Sequence, residues 1–131
     1  VVLILKKTKR KEDVVLLNDL KKYDVVLVDF GLETIGSEQG GVRPSVIIQN
    51  DVGNHFSDTV IVLPFTKQIK KLNQPTHSLF RKGTEKGLLY DSVLLGECVR
   101  QVSKQRVKSL LGHINNDFER NEIKRVYMAN M

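Results

Sequence analysis

An arginine and a threonine stand at the ends of two predicted strands and could act together on one phosphate. Arg43 follows a segment that contains three glycines and precedes Pro44, which favours an extended backbone at Arg43. Thr66 closes a second apolar run, and adjacent antiparallel strands can bring one strand's start beside the other's end. A guanidinium binds a phosphate through two parallel hydrogen bonds and stabilises developing negative charge. The alternative for Arg43 is a structural ion pair.

A glutamate near the end of another predicted strand offers an acidic group. Glu97 lies in an apolar segment, residues 92–99, that predicts a strand. Alternation along such a strand would place Glu97 and Val99 on the same face. From residue type alone, Glu97 is expected to be an exposed strand charge.

The remaining reactive side chains do not indicate a metal or a cysteine nucleophile. His55, His77 and His113 are scattered without the spacing of metal ligands. Cys98 is the only cysteine, and no partner base is evident beside it. We interpret Cys98 as a buried apolar side chain, and we expect neither a metal site nor a cofactor. His77, at a predicted strand start, could face a ligand or simply lie at the surface.

Short strands separated by glycine and proline turns make up most of the predicted structure. Apolar runs predict strands over residues 23–30, 46–48, 60–63, 76–80 and 92–99. The strand over 60–63 is predicted to end at Pro64, and residues 50–54 carry turn chemistry. This pattern is typical of a mainly β protein, built as a small, partly open antiparallel barrel.

Helices are predicted near the C-terminus. Ser103 can cap a short helix over residues 104–111, which Gly112 would end. Asn116 and Glu119 have the spacing of a capping box for a terminal helix that runs to about residue 129. Its apolar face would consist of Phe118, Ile123, Val126 and Tyr127.

Length and charge bound the possible functions. A chain of 131 residues fits one domain, here residues 22–131, preceded by a basic extension over residues 1–21 that could include a short helix. The net charge of +6 favours a polyanionic partner, either nucleic acid or an acidic protein, over a merely soluble basic surface. We find no apolar run of the roughly 18 residues that a membrane span needs. One cysteine fits a reducing cytoplasm.

The glycine-rich segment carries a family resemblance. Residues 36–44, Gly-Ser-Glu-Gln-Gly-Gly-Val-Arg-Pro, are followed by Val-Ile-Ile-Gln-Asn-Asp at 46–51 and by Gly53-Asn54. This ordered set resembles the MazF/PemK toxins, which are ribosome-independent endoribonucleases of bacterial toxin–antitoxin pairs. The resemblance implies an SH3-like antiparallel barrel with C-terminal helices.

The same resemblance implies roles for particular residues. Arg43 and Thr66 match the catalytic positions, and Glu97 matches an acidic position that could act as the base. The positions expected to contact or border RNA are Ser37, Glu38, Gln39, Gly40, Gly41, His77 and Arg100. Glu38 and Gln39 could instead contact the second copy of a dimer.

The implied reaction is attack of a ribose 2′-hydroxyl on the adjacent phosphate of single-stranded RNA. Its products would be a 2′,3′-cyclic phosphate and a 5′-hydroxyl, and the internal nucleophile would require no metal or cofactor. The implied partners are an acidic, partly disordered MazE-like antitoxin and a second copy of the chain in a homodimer.

Two alternatives keep the same fold. CcdB-type toxins bind gyrase and carry a tryptophan near the C-terminus, whereas this chain has no tryptophan. A catalytically inactive RNA-binding module is the second alternative, and an RNA cleavage assay would distinguish it.

Overall fold

The computed structural model describes residues 4–6, 14–32 and 40–131. The strands are β1 (Ile4–Lys6), β2 (Val14–Leu16), β3 (Asp24–Asp29), β4 (Val42–Ile47), β5 (Thr59–Thr66), β6 (His77–Phe80), β7 (Ser92–Leu95), β8 (Arg100–Ser103) and β9 (Val107–His113). The α-helices are α1 (Asp51–Phe56) and α2 (Asp117–Met128), with single 3₁₀ turns at Leu17–Asp19 and Lys104–Arg106. Ser37, Glu38 and Gln39 lie outside the described residues.

One antiparallel sheet organises the protein. Its strand order is β6-β7-β5-β4-β3-β9, and β8 pairs with β5 beside β7, while β1 pairs with β2 separately. The predicted mainly β class with a C-terminal helix is confirmed. Within the described part of the chain the pairing does not return from β9 to β6, so the term barrel applies only loosely.

The sheet buries apolar side chains on both faces. In β3, Val26 and Val28 face one cluster while Val25 faces the other, as alternation along a strand requires. The first core contains Leu17, Leu20, Val26, Val28, Phe30, Ile47, Val60, Val62, Val102 and Val107. The second core contains Val25, Val46, Leu63, Phe65, Phe80, Leu88, Leu94, Ile114, Ile123 and Val126, and includes the buried side of α2.

The strand predicted over residues 92–99 is interrupted. β5 pairs with β7 at Phe65↔Leu94 and with β8 at Val62↔Arg100. Between these two pairs lie two residues of β5 but five residues, 95–99, of the segment that joins β7 to β8. The surplus forms a bulge over residues 96–99, and the prediction that Glu97 lies in a strand is wrong. The prediction that β5 ends at Pro64 is also wrong, because Pro64 lies opposite this bulge, where a missing N–H is tolerated.

The helix predicted over residues 104–111 is mostly strand. Ser103 does act as a cap, since its side chain accepts a hydrogen bond from the Gln105 N–H at 3.2 Å, but only one 3₁₀ turn follows. β9 then alternates, with Val107 and Ser109 buried and Lys108 exposed, and it pairs with β3. Sheet pairing therefore overrides the local helix signal.

Two other local predictions differ from the structure. The turn expected at residues 50–54 is the start of α1, where the Asn50 side chain accepts a hydrogen bond from the Gly53 N–H at 2.9 Å. The short helix expected over residues 12–22 is replaced, in its described part, by β2 and a 3₁₀ turn. Asn50 shows that turn residues and helix N-caps share the same chemistry.

The terminal helix follows the prediction at its start. The Asn116 side chain accepts a hydrogen bond from the Glu119 N–H at 3.0 Å. Ile123 and Val126 are buried as predicted, whereas Phe118 is 72% exposed, so the apolar face is narrower than expected. In the ranges that the structure describes, no helix is both long enough and apolar enough to cross a membrane.

Candidate functional site

Arg43 is held at the base of the glycine-containing loop. Its Nε donates a hydrogen bond to the Gly40 carbonyl at 2.9 Å. The loop base is closed by Phe30 N–H to Gly41 O at 2.9 Å and by Gly41 N–H to Gly31 O at 2.7 Å. Gly31 and Gly41 have φ values of 82° and 74°, which favour glycine, so this closure depends on the glycines. The loop base thereby orients the half-buried guanidinium.

Strand order sets Arg43 and Thr66 on neighbouring strands and on one sheet face. The described pairing of β4 with β5 ends at Ser45↔Pro64, and Arg43 and Thr66 each lie two residues beyond this pair. Because side chains alternate along a strand, Arg43 and Thr66 project from the same face as Ser45 and Pro64. The Thr66 Oγ1 accepts a hydrogen bond from the Gln68 N–H at 3.2 Å, which leaves its own proton available to a ligand.

Arg100 lies on this same face. It pairs with Val62, whose side chain belongs to the first core, and its guanidinium carbon lies 5.3 Å from the centroid of the Phe30 ring. Arg43 pairs with Val28 of the same core. Two arginines therefore border one side of the first core.

Glu97 and His77 form a pair at the 96–99 bulge. The His77 Nε2 lies 2.8 Å from the Glu97 Oε2, and the His77 Nδ1 lies 3.0 Å from the Lys71 carbonyl oxygen. The His77 side chain is only 6% exposed, whereas Glu97 is 37% exposed. His77 therefore lies behind Glu97, and the predicted surface position of His77 is wrong.

Cys98 lies among the charged groups of the site. Burial raises the pKa of its thiol, and the nearby Glu97 charge raises this pKa further, while Arg100 and Arg43 act in the opposite direction. Cys98 is half-buried, whereas the sequence predicted a buried side chain.

A second polar cluster was not anticipated from the sequence. The His113 Nδ1 lies 2.6 Å from the Asp24 Oδ1, and the Arg120 Nη2 lies 3.0 Å from the His113 Nε2. Arg120 also donates to the Ile114 carbonyl at 2.7 Å. Burial raises the pKa of Asp24, although hydrogen bonds from the Lys21 N–H and His113 oppose this effect. The cluster joins β3, β9 and α2.

His113 also lines a cleft of about 670 Å³ at the start of α2. The cleft contains the ion pair between Lys86 and Glu119, at 2.6 Å, and the exposed Phe118. The residues predicted for catalysis or RNA binding are absent from its lining. In residues 4–6, 14–32 and 40–131, no three histidine, cysteine or acidic side chains are arranged to hold a metal ion.

The fold and the site define a class of protein. One sheet face carries Arg43, Arg100 and Thr66, and the Glu97 carboxylate lies on the 96–99 bulge between β7 and β8, a set suited to binding and polarising a phosphodiester. The family described as PemK-like, MazF-like toxin of type II toxin–antitoxin system matches residues 21–126, and the chain belongs to this family. The predicted family is confirmed.

Individual relatives agree with this assignment. The chain is 44% identical to Endoribonuclease EndoA of Bacillus subtilis (strain 168) over 101 residues. This alignment covers 75% of this chain and 83% of the relative. It is 45% identical to Endoribonuclease MazF of Staphylococcus saprophyticus over 97 residues. This second alignment covers 74% of this chain and 79% of the relative. Both relatives are endoribonucleases, in agreement with the predicted activity.

A solved structure shows the same fold. The structure of an endoribonuclease in complex with its cognate antitoxin from mycobacterial species has a TM-score of 0.67 at 15% identity. The match covers 84% of this chain and 92% of that chain. At this identity the likeness supports the fold predicted from the sequence.

Proposed function

We propose that this chain is a toxin endoribonuclease that cleaves single-stranded RNA at specific sequences without the ribosome. One observation supports the proposal above the others: Arg43 and Arg100 lie beside the first core, on the sheet face that also carries Thr66. Family membership and the endoribonuclease relatives agree with it.

The proposed reaction needs only RNA and these side chains. The 2′-hydroxyl oxygen forms a bond to the adjacent phosphorus, and Glu97 accepts its proton. The bond from phosphorus to the 5′-oxygen then breaks, and that oxygen takes a proton from solvent water to become the 5′-hydroxyl product, while Glu97 returns its proton to solvent. The other product is a 2′,3′-cyclic phosphate.

Arg43 and Thr66 stabilise the pentacoordinate phosphorane in this proposal. Arg43 neutralises the charge that develops on the non-bridging oxygens, because its guanidinium stays protonated and is a poor base. Thr66 donates its hydroxyl proton to one of these oxygens. Arg100, Gly40 and Gly41 border the bound strand, together with Ser37, Glu38 and Gln39 of the loop.

The proposal includes partners and a compartment. RNA is the substrate and the cytoplasm the site of action, and the net charge of +6 suits both RNA and an acidic MazE-like antitoxin. The antitoxin would bind along the groove of a homodimer and cover the site. Light scattering that gives the monomer mass throughout the micromolar range would contradict the homodimer.

Single-turnover cleavage of a long RNA tests the activity. Arg43→Ala and Thr66→Ala should each lower the rate about 100- to 1,000-fold, the cost of losing one preorganised donor. Arg43→Lys should restore only part of the rate, because an ammonium lacks the planar fork. Arg81→Ala is the matched control, since Arg81 is 74% exposed and pairs with Asp91 away from the site.

Two substrate controls complete the test. RNA with a 2′-deoxy sugar at the cleaved position should resist cleavage, and EDTA should leave the wild-type rate unchanged. Near-normal cleavage by both alanine variants would contradict the site, and loss of activity in EDTA would contradict the metal-free reaction.

A further inference from the structure

His77 is the most deeply buried ionisable side chain beside the proposed site. It begins β6, pairs with Leu95, and has a side chain only 6% exposed. Its backbone carbonyl accepts a hydrogen bond from the Arg125 Nη2 at 3.2 Å, which ties it to α2. The ring is therefore held between the sheet and the helix, with the more exposed Glu97 beside it.

We propose that His77 is a positioning residue for Glu97, a role that rests on the proposed function. Glu97 lies on the 96–99 bulge, so no strand ladder orients its long side chain. The Nε2 of the buried ring holds the Glu97 Oε2 at 2.8 Å, while the Nδ1 is anchored on the Lys71 carbonyl oxygen at 3.0 Å. His77 links the carboxylate to the rigid sheet.

The contacts select which carboxylate oxygen faces the substrate. Gln74 Nε2 also donates to the Glu97 Oε2, at 3.4 Å, and it is itself held on Thr76 Oγ1 at 2.9 Å. The contacts from His77 and Gln74 are therefore both made to Oε2. The other oxygen, Oε1, is thereby presented to the 2′-hydroxyl of the bound nucleotide.

The backbone beneath Glu97 is fixed as well. The Gly96 N–H donates to the Thr76 carbonyl at 2.8 Å, and the Asn130 side chain donates to the Gly96 carbonyl at 2.7 Å. A Cβ added at Gly96 would lie 2.4 Å from the Val126 carbonyl oxygen, so the bulge touches α2 directly. With its backbone clamped, Glu97 retains only side-chain freedom, and His77 removes it.

Two substitutions separate the two bonds of the ring. His77→Gln places an amide N–H near the position of Nε2 and keeps the donor to Glu97. His77→Asn places an amide N–H near the position of Nδ1 and keeps only the donor to Lys71. If His77 positions Glu97, the His77→Gln variant should cleave RNA at a rate within a few-fold of the wild-type rate. His77→Asn should lose about 10- to 100-fold in kcat with KM unchanged, as for a misplaced catalytic group.

The opposite order, with His77→Asn active and His77→Gln impaired, would show that His77 serves the Lys71 segment and would overturn the proposal. Equal rates for the two variants would overturn it too. A double-mutant cycle supplies an independent readout. In a Glu97→Gln background, His77→Asn should cause no further loss, because its effect passes through the carboxylate.

Glu97→Asp covers the case in which a His77 variant fails to fold. The substitution keeps the carboxylate at a partly exposed position but withdraws it from His77, and it should lose about as much rate as His77→Asn. Wild-type cleavage by Glu97→Asp would overturn the positioning role. A wild-type chain that cleaves no RNA would instead overturn the proposed function itself.

Discussion

Two histidines of this protein each meet a carboxylate, yet they face different third partners. The His113 Nδ1 meets Asp24 and its Nε2 meets the Arg120 guanidinium, which can only donate. The His77 Nε2 meets Glu97 and its Nδ1 meets the Lys71 carbonyl, which can only accept. At His113 the ring thus lies between a carboxylate and a donor, whereas at His77 it lies between a carboxylate and a carbonyl acceptor.

The two histidine–carboxylate pairs also differ in location: one lies within the packed fold and the other lies at the proposed site. The Asp24 side chain is 11% exposed, and its cluster joins β3, β9 and α2 at the second core. The Glu97 side chain is 37% exposed, and its charge reaches the region of Arg43 and Arg100. A histidine–carboxylate pair therefore supports the structure in one place and, as we propose, the chemistry in the other.

The largest expected effect is on the Glu97 side. Glu97→Gln should lower single-turnover cleavage about 100-fold or more, because a proton acceptor is lost, while the free energy of unfolding changes by about 0.5 kcal/mol or less. Cleavage and urea denaturation measured on the same preparation check both parts. A large loss of stability would mean that the His77–Glu97 pair, like the His113–Asp24 pair, mainly stabilises the fold.

His113→Ala should show the converse behaviour. Asp24 and the Arg120 Nη2 would each lose a partner, and leaving such groups unpaired costs about 1–3 kcal/mol in the free energy of unfolding. Cleavage per folded molecule should stay at the wild-type level. Urea denaturation measures the stability of the variant, and cleavage is measured at urea concentrations well below its unfolding midpoint. A lower cleavage rate per folded molecule would contradict a purely structural role for His113.

The smallest effect is a pH dependence that Asp24 introduces. Burial raises the pKa of Asp24 above its ordinary 3.8, so the folded state binds this proton more tightly than the unfolded state. Its contribution to stability is thus greatest below about pH 4 and is lost as the pH rises through the raised pKa. Relative to Asp24→Asn, wild-type stability should fall over that window. A difference that stays flat or rises with pH would contradict the assigned direction.

Local signals predicted well where one residue decides the structure. The Asn116 cap of α2 and the glycine-dependent closure behind Arg43 both follow from short-range chemistry. The placement of Arg43 and Thr66 on neighbouring antiparallel strands could also be anticipated, because each flanks an apolar run in the sequence.

Long-range packing decided what the sequence could not predict. Residues 104–111 have a helix cap signal, but β3 offers an unpaired edge and the segment joins it as β9. The bulge at Glu97 depends on the register of two separate strands along β5, which no local pattern encodes. The burial of His77 and the contact between His113 and Arg120 require the final position of α2.

The placement of Cys98 has a practical consequence for labelling. As the only cysteine, it gives a fluorophore or spin label a single attachment point, set among Arg43, Glu97 and Arg100. Since the thiol pKa is raised, maleimide coupling will be slow at neutral pH and faster in mildly alkaline buffer. If Arg43, Glu97 and Arg100 bind RNA as proposed, the addition of RNA should change the signal of a probe attached there.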